Sequence, residues 1–123
     1  MIFTLPFPPR ELSPNARPHY MKRSRILGDY KNYCQILALK ARREAEAQGQ
    51  TFPLDPVDCY LTFVLGSKRR RDTDNLVAQF KGGIDAIVRA RILTDDSSDV
   101  LTLKEPAIEY GPPAVRVRLE VRP

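Results

Sequence analysis

Nowhere does this chain run apolar for the about 18 residues that a bilayer-spanning helix needs, and its amino terminus has neither the basic start nor the apolar core of a secretory signal. A soluble, cytoplasmic protein with no membrane partner is expected. Cysteine is scarce: Cys34 and Cys59 stand far apart, without the close pairs of a zinc site or a redox motif, and two cysteines make no disulfide scaffold. Both are expected in the core. Histidine is scarcer still, with His19 alone, so no borderline-soft cluster exists and any metal site must be built from oxygen. Repeats, linkers and low-complexity tracts are absent. With 123 residues and 42% hydrophobic content, the chain can bury one modest core, which makes residues 1–123 a single domain.

Charge is what the chain has in quantity. The net charge is +5, and residues 1–43 hold nine Lys or Arg against only Glu11 and Asp29. Arg17, Lys22, Arg23 and Arg25 belong to this excess. A second block, Lys68-Arg69-Arg70-Arg71, abuts Asp72. Scattered cations are ordinarily a solvated surface, but four in a row repel one another, and a polyanion relieves that repulsion. These eight residues are therefore candidate nucleic-acid contacts.

Ile2 to Leu5 read as a first strand ended by Pro6, followed by a proline-rich extended arm to about Leu27. From Asp29, as N-cap, the positions Tyr30, Tyr33, Cys34, Leu37, Ala41 and Ala45 recur at helical spacing until Gly49. Val57, Cys59, Leu61, Phe63 and Leu65 alternate with Asp58, Tyr60, Thr62 and Val64 as a strand with one face on the core. Leu76, Phe80, Ile84, Ile87 and Val88 mark a second helix capped by Asp72 or Asp74 and weakest at Gly82-Gly83. Asp95 to Asp99 form a turn; Val100, Leu101 and Leu103 are a third strand; Gly111-Pro112-Pro113 leads into a fourth, with Val115, Val117, Leu119 and Val121 inward. The expected class is α/β (α+β): a small mixed sheet of about four strands covered by two main helices, in the order β-α-β-α-β-β.

The chemistry lies in the carboxylates. In an extended segment Asp72 and Asp74 point to one side and can converge on one cation, and oxygen-only donors favour Mg²⁺, with Mn²⁺ as the alternative. Helix capping accounts for one of the two and leaves the other unexplained. The Asp95-Asp96 doublet follows the second helix, so it joins the first pair only if the turn folds back or a partner subunit supplies one end. As a doublet alone it is commonly just a turn. Lys81, seven residues after Asp74 and four before Asp85, can reach a phosphate beside the metal or simply pair with Asp85.

Together these residues resemble the RusA family of Holliday-junction resolvases, small phage-type endodeoxyribonucleases. The resemblance rests on Asp72-Thr73-Asp74-Asn75 after a basic run, Lys81 with Asp85, the Thr94-Asp95-Asp96 turn, and Leu5-Pro6-Phe7-Pro8-Pro9 with Ser13-Pro14-Asn15-Ala16-Arg17. It implies a homodimer that binds branched, four-way DNA and, with Mg²⁺, cuts two strands symmetrically in recombination and repair. It further implies metal carboxylates at Asp72, Asp74 and Asp96, with Asp95 in support, a catalytic Lys81, and DNA contacts at Arg69 and Arg71. The family's lysine comes four residues after its second aspartate and here seven; on one straight helix the extra three residues move it about 4.5 Å along the axis. Three other readings compete: a DNA-binding module without catalysis, a metal-dependent nuclease acting on flap or single-stranded DNA, and a nucleotide-sugar transferase, whose Asp-any-Asp motif is shared but against which the short basic chain argues.

Overall fold

The computed structural model describes all of residues 1–123. Strand β1 (Ile2–Pro6) leads through a short 3₁₀ turn (Arg10–Leu12) to a long helix α1 (Tyr20–Ala47), then β2 (Val57–Leu65), α2 (Thr73–Gln79), α3 (Lys81–Arg89), β3 (Leu101–Leu103), β4 (Ala107–Tyr110) and β5 (Ala114–Val121). The mixed α/β class stands, with five strands and three α-helices in place of four and two.

The sheet is mixed because its central strand β2 has unlike neighbours. On one side it pairs antiparallel with β5, which pairs antiparallel with β1; on the other its start pairs parallel with β3 and its end parallel with β4. β3 and β4 thus form one interrupted edge, divided by Lys104-Glu105-Pro106, with the Lys104 amide donating to the Cys59 carbonyl at 2.9 Å. The period of two in β2 is realised in full: Val57, Cys59, Leu61, Phe63 and Leu65 are buried and the residues between them half-buried. Together with Leu5, Val115, Val117 and Leu119 they make one apolar face, against which Cys34, Ala38, Phe80, Ala86 and Ile87 of the helical layer are buried. The other face stays open, and there the Arg118 guanidinium lies 4.0 Å above the Tyr60 ring.

Three expectations need correction. First, α1 begins at Tyr20, not Asp29, capped by the His19 ring, whose Nδ1 accepts the Met21 N–H at 3.2 Å. Histidine is not a favoured cap, and Tyr20, Met21, Lys22, Ser24 and Arg25 are all exposed, so the first turns carry no apolar stripe to betray them. Nor is the preceding segment a free arm. Arg23 donates to the carbonyls of Glu11, Leu12 and Ser13, the buried Gln79 donates to those of Pro8 and Pro9, and the Tyr30 hydroxyl to that of Pro6.

Second, the second helix is broken. Phe80 sits at φ −86°, ψ 1°, between α2 and α3, two residues before the weak point expected at the Gly82-Gly83 pair. Its ring is fully buried, meets Phe63 edge-on with centroids 6.2 Å apart, and occupies the space that a Gly83 Cβ would need. The ring and the low helix propensity of two adjacent glycines together set the break. Third, β4 was not expected: Ala107 to Tyr110 have no alternating pattern of burial, and pairing with β2 alone makes them a strand.

Candidate active site and nucleic-acid interface

Each carboxylate is held by a local device. Asp72 caps α2, its Oδ1 accepting the Asp74 N–H at 2.9 Å, and Asp74 lies in the first turn, where a negative charge meets the positive end of the peptide dipoles. Asp95 Oδ1 accepts the Asp96 N–H at 2.7 Å, a tight polar turn after α3. That turn is anchored from outside: Asp55, just before β2, accepts from the Thr94 N–H at 2.9 Å and from its hydroxyl at 2.8 Å. Burial pushes the Asp55 carboxyl up, but these bonds outweigh it and hold its pKa below the ordinary value of 3.8.

The turn does fold back onto the helix. Lys81 Nζ stands 3.6 Å from Asp96 Oδ2, so the residue at the start of α3 and the residue beyond its end meet. The alternative partner is engaged elsewhere, since Asp85 Oδ2 pairs with Lys31 of α1 at 3.2 Å. At the Lys81 and Asp96 pair opens a cleft of about 330 Å³, lined besides by Val77, Ala78, Ile84, Ser98, Leu101 and Leu103. Asp74 precedes Val77 and Ala78 by one turn of α2 and so lies on the same stripe. The chain by itself draws no three or more His, Cys, Asp or Glu side chains into one metal-binding group. A larger cleft of about 740 Å³ lies between β1 and the second half of α1; its titratable lining, Lys40 and Glu44, includes none of the clustered carboxylates.

The break at Phe80 also overturns the single straight helix expected for Lys81: it does not continue the axis of α2 and Asp74 but opens a new helix, with its ammonium at the Asp96 turn.

No family model matches this chain. It is 33% identical over 93 residues to an uncharacterized protein of Xylella fastidiosa, an alignment covering 75% of this chain and 58% of that protein. The chain thus spans less than two thirds of that relative's length.

Around the site the cations fall into two groups. Lys68, Arg69, Arg70 and Arg71 are all exposed in the loop before α2, and none is in an ion pair; the Lys68 ammonium lies 5.8 Å from the centre of the Tyr110 ring. Lys22 and Arg25 are exposed on the first turns of α1, Arg17 donates to the carbonyls of Pro14 and Ala16, and Arg23 is spent on the 3₁₀ turn. Two participants went unseen in the sequence, Asp55 and Ser98. Asp55 lies 39 positions from Thr94, and no periodicity or motif links the two. Cys34 and Cys59 are buried and free, as their isolation suggests; burial pushes the Cys59 thiol up to about 12 and the Cys34 thiol to about 11, the latter against a Tyr30 hydrogen bond that lowers it. No helix is long and apolar enough to cross a membrane.

Proposed function

We propose that this chain is a Mg²⁺-dependent, structure-specific endodeoxyribonuclease of the cytoplasm that resolves four-way DNA junctions as a homodimer, by paired symmetric nicks. One observation supports the reading: the Asp96 turn folds back to Lys81, so the acidic turn after α3 meets the start of that helix, which follows α2 and its Asp72 and Asp74 in the chain.

The donors present fit the ion. Mg²⁺ is held by one or two carboxylates while substrate phosphate and water complete its octahedron, and Asp72, Asp74, Asp95 and Asp96 are exposed oxygen donors beside a basic loop. Asp72, Asp74 and Asp96 would hold it, with Asp95 in support. When bound, the ion supplies a Lewis acid and a source of hydroxide near neutral pH. The protein does the rest. Lys68 to Arg71 bind the backbone on the approach to α2, and Lys81 exchanges its Asp96 partner for a phosphoryl oxygen, offsetting the charge that builds as water attacks phosphorus. The P–O3′ bond breaks, leaving a 5′-phosphate and a 3′-hydroxyl. In a twofold dimer equivalent sites face opposing strands of a twofold junction, so the nicks are paired.

The rival, a DNA-binding module without catalysis, has one observation in its favour: Asp72 is engaged as a helix cap and no three-carboxylate group forms within one chain. Cleavage of a synthetic mobile four-way junction in Mg²⁺ or EDTA, with linear duplex, flap and single-stranded DNA as controls, separates the readings. Symmetric nicks confined to the junction, lost in EDTA and in Asp74→Asn, are expected. Junction binding without cleavage by the wild type supports the rival, and cutting confined to flap or single-stranded DNA overturns the junction specificity.

A further inference from the structure

At the start of α1 two aromatic rings are stacked in the open. The His19 and Tyr20 ring centroids are 4.7 Å apart with their planes inclined by 29°, and the imidazole is fixed because its Nδ1 accepts the Met21 N–H. Yet Tyr20 is 75% exposed, the highest value among the chain's large hydrophobic side chains, and Met21 beside it is 63% exposed. A ring pair that buries almost nothing contributes little to folding. Close by in the chain, Arg17, Lys22 and Arg25 are exposed and in no ion pair.

The surface also lies at the functional end of the molecule. Helices α1 and α3 run side by side in the same direction: Gly82 abuts Leu27 and Tyr30, Lys31 pairs with Asp85, and Arg42 donates to the Ala90 carbonyl at 3.0 Å. Tyr20 is seven residues before Leu27, about 10 Å further along the axis, beyond the end of α3 that carries Lys81.

We propose that the His19 and Tyr20 pair is a stacking platform for an unpaired DNA base, with Lys22 and Arg25 holding the flanking phosphates. Every base offers a π face to such a ring, and the neighbouring cations match the backbone charge. The inference deepens the DNA reading above and rests on it. It assigns the platform to the bases that a branch point leaves unstacked, at the same end of the molecule as Lys81.

The test uses the full chain in EDTA, so that cleavage plays no part. Binding to single-stranded DNA and to a four-way junction carrying 2-aminopurine at the branch is measured for wild type, Tyr20→Ala, Tyr20→Phe and Lys22→Ala/Arg25→Ala across a salt series. Tyr20→Ala is expected to weaken binding about tenfold to a hundredfold without changing the salt slope and to abolish the 2-aminopurine response, while Tyr20→Phe retains both. The double variant is expected to lower the salt slope by about 0.7 per lost single-strand contact. Tyr20→Ala binding within twofold of wild type, with the fluorescence response intact, overturns the platform alone. Absence of DNA binding by the wild type overturns the platform and the DNA reading together.

Discussion

Lys81 Nζ, at the start of α3, faces Asp96 Oδ2, beyond the end of that helix, at 3.6 Å, and both side chains are exposed, at 70% and 39%. An exposed pair of this kind contributes at most about 1 kcal/mol to folding. Lys81→Ala is therefore expected to leave the thermal midpoint nearly unchanged while lowering junction cleavage by about 10²-fold or more, the loss typical of one charge-stabilising group. Equal losses in stability and activity would make Lys81 a structural residue.

The basic loop makes a separate prediction. Substituting Lys68, Arg69, Arg70 and Arg71 by alanine should flatten the dependence of log affinity on log salt by about 0.9 for each duplex phosphate contact removed. The decline should be similar for unrelated sequences, since backbone contacts carry no base information. Filter binding over a range of KCl concentrations checks it; an unchanged slope leaves the loop as solvated surface.

Asp55 gives a pH dependence with a definite sign. Its folded pKa is depressed below 3.8, so the stability it adds through Thr94 is complete above that value and is lost as pH falls through the lower folded pKa. Asp55→Asn removes the increment at neutral pH. The difference in thermal midpoint between wild type and variant should accordingly shrink as pH falls from about 5 toward 2. A difference that stays constant over this range would exclude the Thr94 anchor as its source.

Two glycines in helices should respond in opposite ways. A Cβ at Gly83 collides with the Phe80 ring, so Gly83→Ala is expected to cost about 1–3 kcal/mol despite its better helix propensity. Gly28, within α1, has nothing within 4 Å of the corresponding point, and Gly28→Ala is expected to stabilise by about 0.5–1 kcal/mol. Urea unfolding of both variants checks the pair.

Much of the architecture was legible along the chain because it is written in local periods. The alternation of Val57 to Leu65 specifies a half-buried strand and that of Val115 to Leu119 another, although Val121, expected inward, lies exposed at the strand's end; the isolation of Cys34 and Cys59 marks core thiols. The Asp72 cap, the acidic turn and the basic loop are likewise local patterns. What depended on distant partners was not legible. Tyr20 to Gly28 bury too little to show a stripe, β4 exists only through its pairing with β2, and the break at Phe80 follows from a ring lodged between Phe63 and Gly83.

The amino-acid order on its own determined which groups are available: oxygen donors without a histidine or cysteine cluster, a surplus of cations before α2, and an apolar set large enough for one core. Residue types and short periods are properties of neighbours in the chain. Only the tertiary structure decided that Lys81 meets Asp96 rather than Asp85, that Asp55 holds Thr94, and that Tyr20 stands in the open at the Lys81 end. Those placements follow from how two helices lie side by side and where a turn folds back, and the burial that sets both is shared among residues far apart in sequence.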